Sequence, residues 1–565
     1  MSEAQDDAAE GASTAFTEAV AAIDSSPWDI SAWNRMVEEA REGRSGDVSP
    51  STVHESFFRR FPADASAWKD LASWHIDQGA SEEEVERVYE DAIHNCCDVD
   101  LWLTYVQFLI EAGGGEETAA MPGEDGEQLR MRVVKAFEGA ISMLGQSLYA
   151  TPMWRAYLAF IRMWPEHNTV AKADKQRGLR KIYERCVVLP IDGVDDLFAE
   201  FGDFERSINE QAAQAALASV EHLHNNASAV VTERIKFWAQ LDLSGVAVPP
   251  GQSPKGMRFE AEQLQLWRLT LSYEKNIPEL QSEAQRTLRI ATGYRYMLCA
   301  LMHYPEAWIE FAYWQETLAG TKAALNVLRT ASRKLPSSIV LAALLAETHA
   351  DVGDEKAGLR VLRHCVDTHP GSDLAMCLLL RKVRRVEGRL AERKAFSDSL
   401  SQRKAGLLGY RVYLAHADIE RRVNECPDVA LRVFELGLRL HAEFASNAGF
   451  ISAYVSLLTE LRDDHNLRTL LRRLLGKVGA NLNPGDLTSS GTSGKGSGLE
   501  DGNLVAEAEK LPTSLKLALW RRYLELEDTA CLDGARKRST LGDVVRNMRL
   551  HCKDAFELPV HLQRL

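Results

Sequence analysis

The 565-residue sequence lacks any run of eighteen apolar residues, and a helix that crosses a bilayer needs about that many; no membrane span is expected. Its nine cysteines contain no CxxC pair, and only Cys96 and Cys97 are adjacent. Without paired spacings they frame no disulfide set and no zinc site, so reduced thiols are expected. Proline (18) and glycine (37) are too sparse for a fibrous or wholly disordered chain. Positive charge is in deficit, with 66 basic against 81 acidic side chains and a net charge of −15. Such a chain starts poorly as a phosphate-neutralising nucleic-acid binder and is disfavoured on anionic membranes.

Catalytic motifs are missing as well. No HExxH pair, nucleophile elbow or carboxylate dyad stands out. The run Gly491-Thr492-Ser493-Gly494-Lys495-Gly496 fails as a phosphate loop, because Ser489 stands where the first glycine belongs and Gly496 where a Ser or Thr must bind magnesium. His222 with His224, and His364 with Cys365 and His369, lack the second ligand pair that zinc requires. The expectation is no enzyme, no cofactor, no metal and no small-molecule substrate.

What the chain has is a period. Trp33, Trp68 and Trp102 stand 35 and 34 residues apart, each with a bulky side chain three positions on: Met36, Leu71 and Tyr105. The pair recurs as Trp154/Tyr157, Trp308/Phe311 and Trp520/Tyr523. Such partners share one face of a helix, and a period of about 30–45 residues marks stacked helix pairs. An aliphatic–aromatic–acidic pattern supplies the second helix: Val88-Tyr89-Glu90, Ile182-Tyr183-Glu184 and Val433-Phe434-Glu435. Prolines near the joins, as in Phe61-Pro62, Leu189-Pro190, Leu335-Pro336 and His369-Pro370, end helices by removing an N–H and restricting the residue before. Units start near Pro27, Asp64, Asp98, Thr151, Asp195, Gln263, His303, Ser338, Asp373, Gly409, Asn447 and Pro512. The fold expected is all-α, a right-handed α-solenoid of about eleven or twelve helix pairs.

Three interruptions organise the array. Residues 113–127, rich in glycine and acid, form an insertion in the third unit. Residues 245–256, with Pro249-Pro250, form a Pro/Gly hinge, and a Gly/Ser-rich flexible loop lies within 479–511. The expected layout is a disordered acidic tail over 1–15, an N-terminal half over 16–244, the hinge, a C-terminal half over 257–550 and a C-terminal end over 551–565.

One basic stretch, Arg381-Lys382-Val383-Arg384-Arg385-Val386-Glu387-Gly388-Arg389, is the best candidate for a charged contact surface. Arg384, Arg385 and Arg389 are its partner-binding candidates, and a solvated helix face is the plain alternative. The tryptophans read as packing core. Asp29, Glu38 and Glu39 flank Trp33, and Asp98 and Asp100 precede Trp102, the wrong sign for stacking on nucleic-acid bases.

The unit, with Trp and its i+3 partner on one helix and (V/I)-(Y/F)-E on the other, resembles the half-a-TPR (HAT) repeat of RNA-processing complexes. Pro27-Trp28-Asp29-Ile30-Ser31-Ala32-Trp33 resembles the opening of the first repeat in the suppressor-of-forked family. These are the large HAT scaffold subunits of cleavage stimulation factor, used in pre-mRNA 3′-end formation. Phe61-Pro62 with Trp68-Lys69, Val248-Pro249-Pro250 before Leu266-Trp267, and Val383 to Gly388 continue the likeness. So do Asp463-Asp464-His465-Asn466-Leu467-Arg468 and Leu519-Trp520-Arg521-Arg522-Tyr523, in order, from about Pro27 to about Arg549.

The resemblance implies a nuclear, non-enzymatic scaffold that homodimerises through its C-terminal HAT half. It also implies contacts with the RNA-recognition and WD-repeat subunits of cleavage stimulation factor and with cleavage and polyadenylation factors, RNA being met mainly through partners. The family's Pro-rich tail, which docks the RNA-binding subunit, has no match before Leu565. Two alternatives stay open: a HAT scaffold of the spliceosome or of ribosome biogenesis, and a direct RNA-binding protein using Arg381 to Arg389.

Overall fold

The computed structural model describes residues 13–253, 255–277, 282–402, 408–475, 504–530 and 534–551. Among them every regular element is helical, and no helix is long and apolar enough to cross a membrane. After a first helix, Thr14–Ser25, twelve helix pairs follow one another, from Ile30–Arg41 with Pro50–Phe58 to Thr513–Ala530 with Gly534–His551. The first helix of each pair is called A and the second B.

Several of the starting points read from the sequence fall at A-helix N-termini because the residues there are caps. Asp29 accepts the Ser31 N–H at 3.0 Å, Asp64 those of Ser66 and Ala67 at 3.0 and 3.2 Å, and Asp98 that of Leu101 at 2.7 Å. Asn447 does the same for Phe450 at 3.0 Å. Each takes up donors that a first helical turn leaves unpaired, a contribution of about 1 kcal/mol per cap. The sixth A helix, Met257–Asn276, departs from this, beginning six residues ahead of Gln263.

The tryptophan ladder is core. None of the twelve rings is exposed. Trp33, Trp68 and Trp308 donate their indole N–H to the carbonyl six residues upstream, on Pro27, Pro62 and Met302, at 3.0, 2.9 and 2.8 Å. Each ring plugs its A helix against its own lead-in, so Pro27 and Pro62 serve as acceptors as well as helix breakers.

Successive pairs are joined by the B-helix aromatic, which packs on the i+3 residue of the next A helix. Phe137 stacks on Tyr157 at 4.7 Å and Phe434 on Tyr454 at 4.8 Å, while Tyr294 meets Phe311 at 5.1 Å. A polar relay accompanies the stack in three places. Tyr105 donates to Glu86 at 3.1 Å, Tyr157 to Glu138 at 3.1 Å and Tyr454 to Glu435 at 2.6 Å, each across 19 residues. An arginine of the following B helix (Arg132, Arg185 or Arg473) holds the second oxygen of the same carboxylate at 2.8, 3.0 and 2.7 Å. Burial alone would raise Glu138; the Arg185 hydrogen bond and charge, with Tyr157, bring it below its usual value.

Burial first, and then the neighbouring carboxylate, push the phenols of Tyr105, Tyr157 and Tyr454 above their usual 10.0. A group whose folded value is raised contributes stability that is complete below the unfolded value and is lost as pH climbs toward the folded one. The wild-type chain is therefore expected to lose stability above pH ~10. The triple Tyr→Phe variant starts lower by about 1 kcal/mol per lost bond but loses less over that window. Urea midpoints measured from pH 8 to 11.5 test this: the two curves should converge, and parallel curves would sink the account.

The chain forms two compact units, Met1–Lys334 and Leu335–Leu565. In the first, the array curls back on itself. The sixth B helix, Glu283–Ala300, lies across the third and fourth pairs, with Thr292 and Arg295 donating to the Met143 carbonyl at 3.0 and 2.9 Å and Ser147 donating to Tyr296 at 3.2 Å. Buried beneath it, Glu274 pairs with Arg234 at 2.8 Å and Arg289 at 3.0 Å and accepts the Trp238 indole N–H at 2.9 Å. Arg234 also donates to the carbonyls of Pro190 and Gln146. Arg234, Glu274 and Arg289 are at most 2% exposed.

Residues 245–256 lie inside this unit and are held at several points. Val246 and Val248 pack against the cluster of Trp33, Phe57 and Phe61. Gly245 has φ +72°, and a Cβ there would stand 2.1 Å from the Ala63 carbonyl oxygen, so glycine is required both by backbone and by space. Glu260 accepts the N–H groups of Gly251 and Ser253 at 2.8 and 2.9 Å. The 113–127 stretch is also more ordered than a plain insertion: it forms a short helix, Gly115–Ala120, with Ala119 buried and Arg130 donating to the Ala119 carbonyl at 2.9 Å.

In the second unit, contacts run between consecutive pairs, around a core that includes Tyr413, Phe434, Phe450, Tyr454, Trp520 and Tyr523. Two boundaries differ from the sequence reading. Thr14 already begins a helix within the expected 1–15 tail, because Ser13 caps it and Phe16 is buried. Leu504, Ala508 and Leu511, within the expected 479–511 loop, are buried in the core. Residues 1–12, 479–503 and 552–565 lie outside the described residues.

Candidate protein-interaction surface

The ninth A helix, Asp373–Val386, carries most of the basic stretch. Its arginines point in different directions. Arg385 bonds Glu347 and Glu355, both at 3.1 Å, on the eighth pair. Arg384 bonds the Asn424 side chain on the tenth, and Lys382 is buried with Glu355 at 2.9 Å. Among the described residues, Arg389, at the start of the ninth B helix, reaches the Cys426 sulfur alone, at 3.9 Å. Arg384, Arg385 and Arg389 are thus not gathered on one face; the first two tie neighbouring repeats together.

Arg381 is exposed, as are Arg385 and Arg389. It borders a groove of about 580 Å³ crossing three successive A helices, Asp373–Val386, Tyr410–Asp418 and Ala448–Glu460. Leu374, Leu414 and the buried Leu457 line it together with Arg381, Arg411, Arg421 and Arg422. Arg421 pairs with Glu460, and Arg422 with Asp418 at 2.7 Å. Among the described residues Arg381 and Arg411 make no ion pair. Arg411 is steadied by Tyr410, whose ring centroid lies 5.9 Å from the guanidinium. Leu374, at 53% exposed, leaves aliphatic surface beside these charges.

A second polar cluster lies beneath this region. Glu392, His416 and Glu420 are buried and bring three ligand-type atoms within 4.8 Å of one another. Their donor set suits a divalent cation, but Arg393 already grips both Glu420 oxygens at 2.6 Å, and His416 Nδ1 contacts Glu392 at 2.6 Å. A cation would have to displace the arginine that holds Glu420. The cluster joins the ninth and tenth pairs as a hydrogen-bonded strut.

The groove was hidden from sequence reading because its walls come from three repeats, whereas the basic stretch is contiguous. The repeat spacing was a partial guide: Arg411 lies 34 residues beyond Cys377, whose thiol meets its carbonyl at 3.5 Å, and Cys377 is one helical turn before Arg381.

The array matches a known family over most of its length: the model of the suppressor of forked protein (Suf) covers residues 15–489. The chain belongs to the suppressor-of-forked family. Similar relatives include cleavage stimulation factor subunit 77 of Arabidopsis thaliana, 29% identical over 448 residues that cover 78% of this chain and 58% of that protein. The mRNA 3′-end-processing protein rna14 of Schizosaccharomyces pombe is 24% identical, covering 81% and 65%, and the protein suppressor of forked of Drosophila melanogaster is 23% identical, covering 80% and 63%. This suppressor-of-forked chain therefore spans about six-tenths of the length of these relatives. A crystal structure of CSTF-77 aligns with a TM-score of 0.52 at 13% identity, covering 88% of this chain and 91% of that one. The likeness to that structure is one of fold. The HAT-type helical array expected from the suppressor-of-forked resemblance is the architecture found.

Proposed function

We propose that this chain is a non-enzymatic scaffold of mRNA 3′-end processing that acts in the nucleus. The family match over residues 15–489 carries the reading, and the names of the relatives, all processing factors or suppressor of forked, supply the process. The scaffold is a homodimer through its C-terminal HAT pairs. It binds an RNA-recognition subunit, a WD-repeat subunit and cleavage and polyadenylation factors. A dimer offers two copies of each docking surface and so raises the effective concentration of RNA-bound partners near the cleavage machinery.

Direct RNA binding through the basic stretch fits less well. Arg385 and Lys382 already face carboxylates, and the net charge is −15; phosphate contacts need free cations. One experiment addresses the whole reading. Tagged and untagged copies are co-expressed in their native cell, purified through the tag after nuclease treatment, and analysed by mass spectrometry. The untagged copy and 3′-end-processing factors should co-elute. Splicing or ribosome-assembly proteins in their place, or the tagged chain alone, would overturn the assignment.

A further inference from the structure

We propose that the groove across the ninth, tenth and eleventh A helices docks an acidic amphipathic helix of a protein partner. Charge complementarity is the first argument. In a chain with net charge −15, the rim holds four arginines against two carboxylates, and both carboxylates are already paired with Arg421 and Arg422. Arg381 and Arg411 remain, on adjacent helices, with Cys377 on the wall between them. Guanidinium groups of this kind recognise carboxylates through paired hydrogen bonds.

The floor is the second argument. Leu374, 53% exposed, and the half-buried Leu414 present aliphatic surface, which rewards burial of Leu, Ile or Met and gives nucleic-acid bases nothing to stack on. The sole aromatic lining the groove, Phe434, is stacked on Tyr454 and 4% exposed. An acidic helix therefore fits better than RNA.

Spacing is the third. Packed helices lie about 8–10 Å apart, and residues i and i+7 of an α-helix are separated by about 10.5 Å along its axis. A visiting helix with carboxylates at i and i+7 spans Arg381 and Arg411 while residues i+3 and i+4 meet the leucines. This is the helix-in-groove mode of recognition, on a surface built from three repeats.

The inference rests on the scaffold reading for the existence of partners, but its test needs none of them. The full chain is titrated into a fluorescein-labelled 15-residue peptide bearing Glu at i and i+7 and Leu at i+3 and i+4, with fluorescence anisotropy as readout. The same peptide with Gln at both Glu positions, and a U-rich 15-nucleotide RNA, are run beside it. The acidic peptide should bind, weaken as salt is raised, and bind at least tenfold more tightly than the Gln peptide. Arg381→Glu with Arg411→Glu, both at exposed positions, should cut that affinity at least tenfold while leaving the thermal melt unchanged. Leu374→Glu should do so too. Equal binding of the two peptides, affinity within twofold after the double charge reversal, or RNA binding more tightly and showing the same loss in the variant would each overturn the proposal. A failed co-purification with processing factors, by contrast, strikes the scaffold reading and leaves this measurement standing.

Discussion

Glu274→Gln should destabilise the unit Met1–Lys334 by about 3–5 kcal/mol, the usual cost of removing one partner from a buried ion pair. Glu274 is 0% exposed and balances both Arg234 and Arg289. The neutral amide leaves two buried guanidinium groups with no counter-charge, and the Trp238 indole with a weaker acceptor. Replacing the whole triad with Met, Leu and Met removes that imbalance, and such exchanges are often neutral or stabilising elsewhere. Here a cost of about 1–3 kcal/mol should persist, because the Pro190 and Gln146 carbonyls lose the donor that Arg234 supplied. Urea unfolding of the full chain, followed by Trp238 and its neighbours through fluorescence, reads both variants. A midpoint for Glu274→Gln equal to wild type would refute the role given to the knot.

Trp154→Ala should cost about 3–5 kcal/mol, the range for emptying a fully buried aromatic site. Trp154 is 1% exposed, donates its indole N–H to Gly145 at 3.1 Å, and lies under the Arg185 guanidinium at 5.4 Å. Trp154→Phe keeps most of the apolar contact but leaves the Gly145 carbonyl without its donor, about 1–3 kcal/mol. The order Ala worse than Phe separates a packing wedge from a base-stacking platform. A platform residue would lose RNA affinity on substitution while thermal stability stayed put, and that result would reverse the assignment of the ladder.

The parts of the fold that sequence made legible are the ones set by local chemistry. Trp33, Trp68 and Trp308 repeat because each closes onto its own lead-in, and Asp64 and Asp98 mark helix starts because capping acts over two or three residues. Long-range pairing was opaque. Arg384 and Arg385 look like a free basic patch until Glu347, Glu355 and Asn424 arrive from neighbouring repeats. Arg234, Glu274 and Arg289 look like ordinary surface charges, since nothing in their flanking residues announces burial. Pro249-Pro250 signals an extended segment but not the Ala63 carbonyl against which Gly245 is pressed. One long-range signal was present and readable: the 19-residue step from Glu86, Glu138 and Glu435 to Tyr105, Tyr157 and Tyr454. It encodes the register in which one pair leans on the next.

The way helix Glu283–Ala300 folds back onto the third and fourth pairs bears on how such a chain evolves. An open array gains or loses a helix pair by duplication or deletion, since each repeat answers only to its neighbours. Pairs eight to twelve are of that kind. In the first unit, one pair more or fewer between the third and the sixth would carry Thr292 and Arg295 away from the Met143 carbonyl. Repeat number there is locked by closure, so change enters that unit residue by residue, and growth or loss of whole repeats is confined to the open stretch.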